Sequence, residues 1–155
     1  MEPTTPRSRD RRRRDALAQL GAPAADVWVA TADPSGGRPY LVPLSLAWVD
    51  EQAVIALDQS SRTARNLTAG RVARLAVGPT RDVVVLDVEL VDDVAVLDPA
   101  AGALAERYAA QADWDPREAG AGYRFLVLRP LRIQAWREAD EIPGRTLMRD
   151  GVWLA

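Results

Sequence analysis

Hydroxyl and arginine side chains are concentrated at one point of the sequence, directly after the apolar, strand-like run at residues 53–57. A helix-like segment follows, so these side chains stand where a strand leads into a helix N-terminus. The first amide groups of a helix have no partner within it, and the helix dipole is positive there. Such a turn suits a phosphate group. The sequence therefore predicts phosphate binding by Ser60, Ser61, Arg62 and Thr63, with simple helix capping by Ser61 as the structural alternative.

The composition limits the chemistry that side chains of this protein can perform. The 155-residue sequence contains no histidine and no cysteine. This excludes zinc sites with those ligands, thiolate catalysis and Ser-His-Asp hydrolysis. Since no acidic cluster has the spacing of a carboxylate metal site, we predict neither metal ligands nor catalytic side chains. A bound phosphorylated cofactor with its own reactivity is favoured instead.

Charge and hydropathy favour a soluble protein that binds neither nucleic acid nor membranes. The 20 basic residues, all arginine, are outnumbered by 22 acidic residues, and the formal net charge is −2. No apolar run approaches the ~20 residues of a membrane span, and no apolar signal-peptide core follows the N-terminal arginines. We expect a cytoplasmic location. The arginine run at 11–14 is interpreted as a solvated helix face rather than a nucleic-acid arm.

Short strands and turn signals make up most of the chain. We predict a mainly β (α+β) fold, in which a six-stranded antiparallel sheet closes into a barrel with two or three helices. Residues 1–25 are expected to form an N-terminal arm, loose over residues 1–9, and a short helix; residues 26–155 form the barrel domain and its tail. The predicted strands are 26–32, 38–49, 53–57, 71–77, 82–97 and 122–137, and helices are expected at 15–21, at 61–69 and after Asp98.

Two short sequence signals refine this fold. Asp150-Gly151 favours a tight hairpin in the tail. The helix after Asp98 carries one apolar stripe, which we assign to the core rather than to a ligand site. The stripe consists of Ala101, Leu104, Ala105, Tyr108 and Ala112.

The second predicted strand contains a proline, which cannot donate to a sheet ladder. It is therefore expected at an edge or bulge, where free backbone groups could meet a flat heteroaromatic ring. An ordinary edge strand is the alternative. The residues concerned are Val42, Pro43, Leu44 and Ser45.

Arginine and tryptophan side chains also stand at strand ends. Arg81 follows a Gly-Pro turn, from which it could reach a ligand on a neighbouring subunit; a plain surface ion pair is the alternative. Trp136 and Arg137 close the last strand, where an indole could cover a ring and a guanidinium could hold a polar tail. A core tryptophan beside an exposed arginine fits this segment as well.

The order of these segments resembles the pyridoxamine 5′-phosphate oxidase-like family of flavin-binding split β-barrels. The matching stretches cover most of residues 26–137. They are VWVATADPSGGRP at 27–39, VPL at 42–44, SRTARNL at 61–67 and IQAWR at 133–137. The later stretch EIPGRTLMRDG at 141–151 is similar to a branch of the family found in actinobacteria.

The resemblance implies a homodimer with two cofactor sites in the subunit interface. The expected cofactor is FMN, or the deazaflavin F420 as in some actinobacterial branches. By similarity, the backbone of residues 42–45 would meet the isoalloxazine ring, and residues 60–63 would hold the phosphate. Trp136 and Arg137 would approach from the partner subunit.

Two departures from the family pattern bear on the expected function. Pyridoxamine-phosphate oxidases proper carry a C-terminal segment with arginine and histidine that holds the substrate, whereas this chain has no histidine. Thr63 stands where the family motif often has lysine. The affinity for phosphate is therefore expected to be lower, or Arg65 or Arg71 supplies the missing charge.

We therefore expect an oxidoreductase in which FMN carries hydride or electrons to or from a small substrate. One alternative is an F420-dependent reductase, with the acidic tail in a groove of Arg38, Arg65 and Arg81. A non-catalytic flavin-binding or storage protein is the other.

Overall fold

One antiparallel sheet forms the body of the protein in a computed structural model, which describes residues 5–155. Its strands are β1 (Asp26–Ala32), β2 (Pro39–Ser45), β3 (Ala47–Val49), β4 (Gln52–Asp58), β5 (Val72–Val77), β6 (Val83–Ala95), β7 (Tyr123–Trp136), β8 (Thr146–Arg149) and β9 (Val152–Trp153). The helices are α1 (Arg9–Leu20), α2 (Arg62–Gly70) and α3 (Gly102–Ala112), with 3₁₀ helices at Pro99–Ala101, Pro116–Glu118 and Ala139–Glu141. Over residues 5–155, none of these helices is long and apolar enough to cross a membrane.

The predicted α+β split-barrel class is confirmed, but the sheet has nine strands rather than six. Its path is β2-β1-β5-β6-β7-β4-β3, and the β8–β9 hairpin is attached to β7. The predicted second strand divides at Leu46, which is fully buried and whose amide donates to the carbonyl of Ala25. β2 and β3 are the two ends of this strand path, but they are consecutive in the chain. The sheet must therefore curl until its two edges come close together.

The tail supplies the other two strands. Asp150 and Gly151 have φ values of 51° and 76°, and Met148 pairs with Trp153 across the turn. Positive φ at both central positions is what a tight two-residue hairpin requires. The hairpin predicted from the Asp-Gly pair is confirmed.

Alternating side chains give the sheet a buried face. Val29, Leu75, Leu86 and Ile133 lie side by side on β1, β5, β6 and β7, and each is 0% exposed. Burying one such side chain contributes about 1.5–3 kcal/mol. Leu20 of α1 and Leu67 of α2 belong to this core cluster, so both helices pack on this side of the sheet.

A second core cluster lies beneath α3. The predicted apolar stripe is confirmed as core: Ala101, Ala105, Tyr108 and Ala112 are buried and Leu104 is partly buried. Tyr108 is 0% exposed and lies 5.3 Å, between ring centroids, from Phe125 of β7. Burial is the main reason that the pKa of the Tyr108 hydroxyl rises to about 12. α3 therefore supports the β3–β4–β7 side of the sheet.

The opposite side of β1, β2, β5 and β6 is exposed and mainly apolar, and it also carries the Arg74–Asp87 ion pair, at 2.7 Å. Trp28 and Leu41 are 51% and 58% exposed. Backbone pairing aligns Pro43, Trp28, Ala76 and Val85 in one row across the four strands. We call this surface the outer face and define it by Trp28, Ala30, Leu41, Pro43, Ala76 and Val85.

The N-terminal arm is packed where the sequence predicted a loose segment. Residues 1–4 of that prediction lie outside the described residues, but Arg7 is only 9% exposed. Ser8 caps α1, which begins at Arg9 rather than near residue 15. Arg12 is 5% exposed and donates to the carbonyls of Arg7 and Glu141 at 3.0 and 2.8 Å. The prediction that the arginine run at 11–14 forms a solvated helix face is therefore wrong for Arg12, which is buried and donates to buried carbonyl groups.

Gly78 is the point at which α1 approaches the turn between β5 and β6. Its φ is +86°, and an added Cβ would lie 1.9 Å from Oε1 of Gln19 and 2.7 Å from the carbonyl oxygen of Asp82. We expect Gly78→Ala to lower the free energy of unfolding by about 2–3 kcal/mol. The added methyl group would have to displace Gln19 and Asp82, and alanine would also be strained at this positive φ. Urea unfolding measures the loss.

Gly37→Ala is the matched control, since Gly37 has φ +66° and nothing lies within 4 Å of its added Cβ. Strain alone should cost the control about 1 kcal/mol. Equal losses in the two variants would show that the close approach at Gly78 contributes nothing to stability.

Candidate functional site

Three arginine side chains line a groove of about 360 Å³ beside α2. Arg62 and Arg65 extend from the helix, and Arg38 comes from the turn between β1 and β2. Asp33 also lines the groove, and hydrogen bonds from Ser35 hold its pKa below the usual range, so it stays ionised. Three guanidinium groups and one carboxylate leave a net charge of +2, which favours an anion. The arginine groove, as we call it, is lined by Asp33, Pro34, Arg38, Arg62, Arg65, Asn66 and Ala69.

Two side-chain contacts fix α2 and its arginines against the β1–β2 hairpin. The Arg62 guanidinium lies over the ring of Tyr40, with Cζ 5.3 Å from the ring centroid. Asn66 is 7% exposed, and its amide donates to the Thr31 hydroxyl at 3.1 Å. Because both partners are strand residues, the groove is held by the fold itself.

The predicted phosphate residues do not all face this groove. The Ser61 hydroxyl caps α2 by accepting from the amide of Ala64 at 3.2 Å. The Ser60 hydroxyl donates to Asp58 at 2.6 Å, and hydrogen bonds from Ser60 lower the pKa of Asp58. Thr63 is 2% exposed because it lies on the core side of α2. Of the four predicted residues, the structure brings only Arg62 to the groove lining.

Arg65 and Arg71 were the expected replacements for the missing lysine. Arg65 lines the groove beside Arg62. Arg71 instead terminates α2 in the left-handed conformation, with φ 65°, and donates to the carbonyl of Leu90 at 2.7 Å. Only Arg65 is therefore placed to supply the charge.

The proline-containing segment at residues 42–45 occupies β2, one end of the strand path, so the predicted edge position is confirmed. Pro43 pairs with Trp28 on the outer face. Val42 and Leu44 point the other way and pack against the core. Ser45 pairs with Asp26, where the hairpin begins.

The remaining predicted residues lie at the other end of the sheet. Arg81 is exposed and its guanidinium lies 3.6 Å from a carboxylate oxygen of Glu138, so the structure contains the surface ion pair of the alternative. Arg137 is 3.3 Å from Asp82. Trp136 is partly exposed rather than in the core, and Arg145 lies over it with Cζ 4.9 Å from the ring centroid. Arg145 was not among the predicted site residues, because an isolated arginine in a turn has no periodic signal.

The two groups of candidate residues are separated within one chain. β5 runs antiparallel to β1, so the turn that carries Arg81 lies at the Asp26 end of the hairpin. The arginine groove lies at the other end, a distance of ~20 Å for a seven-residue strand. The predicted groove of Arg38, Arg65 and Arg81 is therefore not formed within one chain.

A larger cleft of about 750 Å³ opens at the Asp26 end of the hairpin. It contains residues 43–45 of the proline segment and the chain between α1 and β1. We call it the hairpin cleft. Its lining comprises Gln19, Ala22, Pro23, Ala24, Ala25, Asp26, Val27, Trp28, Pro43, Leu44, Ser45, Ala76, Val77 and Gly78.

Several solved structures share this fold. An F420 reductase matches with a TM-score of 0.61 and 20% identity, covering 75% of this chain and 93% of that chain. A pyridoxamine 5′-phosphate oxidase-related, FMN binding protein from Nostoc punctiforme matches with a TM-score of 0.55 and 18% identity, over 82% and 78% of the two chains. A heme binding protein from Mycobacterium smegmatis matches with a TM-score of 0.64 and 18% identity, over 94% of this chain and 59% of that chain.

At these identities the structural likeness shows the fold alone. No curated protein matches the sequence. A family model described as pyridoxamine 5′-phosphate oxidase matches residues 15–137. This match spans most of the sheet, α2 and α3, and the chain belongs to the pyridoxamine 5′-phosphate oxidase family.

Proposed function

We propose that this protein is an FMN-binding oxidoreductase that acts on a small molecule as a homodimer. The arginine groove beside the edge strand β2 is the observation that carries the proposal. It offers a site for a phosphate and, next to it, exposed backbone for a flat ring. Membership of the pyridoxamine 5′-phosphate oxidase family and the likeness to an FMN binding protein support it.

The groove suits the phosphate group of FMN in charge. A phosphate monoester carries about −1.5 to −2 at neutral pH, which the net charge of +2 from Arg38, Arg62, Arg65 and Asp33 offsets. The amides of Arg62 and Thr63 lie in the first turn of α2, where no preceding helical carbonyl can accept from them. Guanidinium groups with helix-terminal amides are a favourable donor set for a phosphate.

A homodimer formed through the outer face would complete the site. An exposed apolar surface rimmed by polar residues is typical of an interface. A two-fold axis that lies in this face and runs across the strands would lay the Trp136 end of one subunit against the arginine groove of the other. Trp136, Arg137, Arg145 and Arg81 would then approach the bound ring and its tail from the partner.

When bound, the flavin would supply the hydride or electron transfer. The residues of this chain would bind and orient it: the arginine groove would anchor the phosphate, and the backbone of β2 would face the edge of the ring. The apolar outer face would keep water from the ring. Because the flavin would supply the reactivity and the protein would only bind and orient it, no catalytic side chain is required. This is compatible with a chain that has no histidine or cysteine.

F420 is the second candidate cofactor, and the likeness to an F420 reductase favours it. Its longer acidic tail would need more positive charge than the groove of one chain holds, so it would depend on Arg81, Arg137 and Arg145 of the partner subunit. The phosphate of FMN needs only the groove of one chain, which favours FMN. Mass spectrometry of the molecules released from purified protein should find FMN; release of F420 or heme would overturn the FMN assignment.

Substituting Arg62 tests the phosphate site. We expect Arg62→Ala to raise the dissociation constant for FMN by more than roughly tenfold, the scale of a charge-assisted hydrogen bond. Riboflavin lacks the phosphate, so its affinity should change little. Quenching of flavin fluorescence measures both constants.

The control is Arg14→Ala, which removes an exposed guanidinium of α1 outside the groove. It should leave the FMN affinity unchanged. If Arg62→Ala also left it unchanged, Arg62 would be removed from the site. Reduction of the bound flavin by NADPH, followed by its oxidation by a reducible compound, would separate an enzyme from a flavin carrier.

A further inference from the structure

Guanidinium groups that have no carboxylate partner are concentrated at a second place besides the arginine groove. This place is a pocket of about 330 Å³, which we call the basic pocket and define by Arg9, Arg132, Arg145 and Arg149. Within residues 5–155, none of these four arginines takes part in a side-chain ion pair. Guanidinium groups that are gathered without counter-ions favour an anionic ligand. The volume lies at the lower end of the ~300–1,000 Å³ usual for small-molecule sites.

The basic pocket is built on paired strands. Gln134 of β7 and Thr146 of β8 are opposite each other in the register and both line the pocket. The side-chain amide of Gln134 donates to the Thr146 hydroxyl at 3.2 Å. The carbonyl of Arg145 accepts from the amide of Ala135 at 3.0 Å, and the Arg145 guanidinium lies over the ring of Trp136. Because the scaffold is formed by the fold itself, binding there costs little ordering of the backbone.

Positive charge in the basic pocket is not cancelled by neighbouring side chains. The four guanidinium groups are the charged groups of its lining. Arg9 already donates to the backbone oxygen of Ala155; without Arg9, the other three groups still give a charge of +3. Asp87 is opposite Arg132 in the sheet register, but its carboxylate lies 2.7 Å from the guanidinium of Arg74.

The proposed homodimer adds to this charge. Gln134 and Arg145 line both the basic pocket and a hollow of the outer face beside Trp28 and Leu41, so the pocket lies at the edge of the proposed interface. If Arg145 approaches the flavin of the partner, the arginine groove of the partner, with its net charge of +2, comes close to this pocket. The sign of the charge is therefore the same with and without the partner.

FMN would neutralise only one of the two positive clusters. Its phosphate carries about −1.5 to −2 at neutral pH, which offsets the +2 of the arginine groove. The charge of the basic pocket would remain beside the bound ring. Like charges that meet across a subunit boundary repel each other unless an anion lies between them. A second anionic group is therefore favoured at this position.

Apolar side chains complete the basic pocket. Ile142 is 47% exposed and Leu154 is partly exposed, and both belong to the lining. They could contact the hydrocarbon part of a ligand whose charged group meets the guanidinium groups. The pocket thus suits an anion with an apolar body better than a free inorganic ion.

We propose that the basic pocket selects the substrate, and that the substrate is a small, largely apolar molecule with a carboxylate or phosphate group. The anionic group would bind Arg132 and Arg149, and the apolar body would extend past Arg145 toward the ring bound by the partner. The assignment to substrate rests on the proposed flavin site, whereas the preference for anions depends on the basic pocket alone. Cofactor phosphate and substrate anion would then be bound by different arginines.

Three probes that share one naphthalene ring test this preference: naphthylmethanol, naphthoate and naphthyl phosphate, substituted at the same ring position. Titration calorimetry uses the full chain at neutral pH, with excess FMN to fill the arginine groove. We expect at least one of the two anions to bind about tenfold more tightly than the alcohol, and the tighter anion identifies the preferred group. Binding of the alcohol as tight as that of the better anion, or no binding by any probe, would overturn the proposal.

Substitutions of two exposed arginines locate the bound anion. Arg132→Gln combined with Arg149→Gln should weaken binding of the preferred anion at least about tenfold and leave the alcohol unaffected. Arg149→Lys keeps the positive charge and should retain most of the affinity. Arg14→Gln removes an exposed guanidinium outside the pocket lining and should leave the order of the probes unchanged. Equal losses in the double variant and in Arg14→Gln would refute the assignment to this pocket.

FMN titration of the same variants keeps the two proposals apart. FMN affinity in the double variant should stay within about threefold of the parent value, because the phosphate of FMN is assigned to the arginine groove. If the parent protein fails to bind FMN but the anions keep their advantage, the flavin assignment fails and the anion site stands. If FMN binds and the alcohol is preferred, the substrate class fails alone. Release of F420 from purified protein would assign the basic pocket to an acidic cofactor tail and overturn its assignment to substrate.

Discussion

Replacing Glu141 with glutamine is expected to lower the free energy of unfolding by about 3 kcal/mol, because it removes the main counter-ion of a buried guanidinium. Glu141 accepts from Nε and Nη2 of Arg7 at 2.9 and 2.7 Å. The two side chains are 4% and 6% exposed. Asp15 and Asp82 remain near Arg7, at 2.9 and 3.4 Å, which is why we expect the lower end of the range for a broken buried pair.

Urea unfolding measures this loss, and Glu138→Gln is the control. Glu138 is 59% exposed on its side chain and lies 3.6 Å from Arg81. Exposed ion pairs contribute about 0–1 kcal/mol, so the control should change stability by less than about 0.5 kcal/mol. A loss in Glu141→Gln no larger than in the control would mean that the buried pair does not hold the N-terminal arm.

The effect of Glu141 should depend on pH. Hydrogen bonds from Arg7 are the main reason that the pKa of this carboxyl falls from 4.5 to about 2. A pKa that is lower in the folded state stabilises the fold fully above the ordinary value, and this contribution is lost as the pH falls through the folded value. The difference in stability between the parent and Glu141→Gln should therefore shrink between pH 4.5 and 2. A difference that stayed constant would contradict the ion pair.

Glu141 also bears on the proposed cofactor site. Its Oε2 accepts from the backbone amide of Arg137 at 2.9 Å, and Arg12 donates to its carbonyl at 2.8 Å. The N-terminal arginines thus hold the segment that carries Arg137 and Arg145. FMN affinity in Glu141→Gln, measured where the protein is still folded, would report whether this support matters for binding.

Introducing a carboxylate on the outer face is the second large expected effect. Leu41→Glu should raise the dissociation constant of the proposed homodimer by about a hundredfold or more, because a charge would be buried between apolar surfaces. Leu41 is 58% exposed and lies beside Trp28 on the face. Sedimentation equilibrium measures the constant.

Val152→Glu is the matched control, since Val152 is 65% exposed and lies on β9, outside the outer face. It should leave the dimer intact. Dissociation by Val152→Glu but not by Leu41→Glu would move the interface to the tail, and a monomeric parent protein at micromolar concentration would end the dimer proposal. If the partner completes the cofactor site, Leu41→Glu should weaken FMN binding as well.

The elements that follow local rules were predictable from the sequence. Alternating apolar residues and turn chemistry predicted the β1–β2 hairpin, the Asp150-Gly151 hairpin and the core stripe of α3. These features depend on residues within a few positions of one another, so periodicity and turn propensity are enough. The edge position of Pro43 followed likewise from its missing amide N–H.

The split of the second strand was beyond such rules. A continuous apolar run can form one strand or two, and local rules do not distinguish these outcomes. Here the curled sheet buries Leu46, and the strand divides at that residue. The burial of Thr63 could not be predicted either. The sequence shows that hydroxyl residues stand at the start of α2, but it does not show which side of the helix packs against the core.

The sequence by itself determined the family, the mainly β class and the hydroxyl-arginine corner, because each is written in contiguous stretches. Only the tertiary structure decided which charged side chains lie close together. In the fold, Arg38 lies beside Arg62 and Arg65, whereas Arg81 lies at the far end of the sheet. Arg7 is buried against Glu141, which is 134 residues away in the sequence. The pairing of charges distant in the chain depends on strand order and on desolvation, and neither leaves a periodic mark in the sequence.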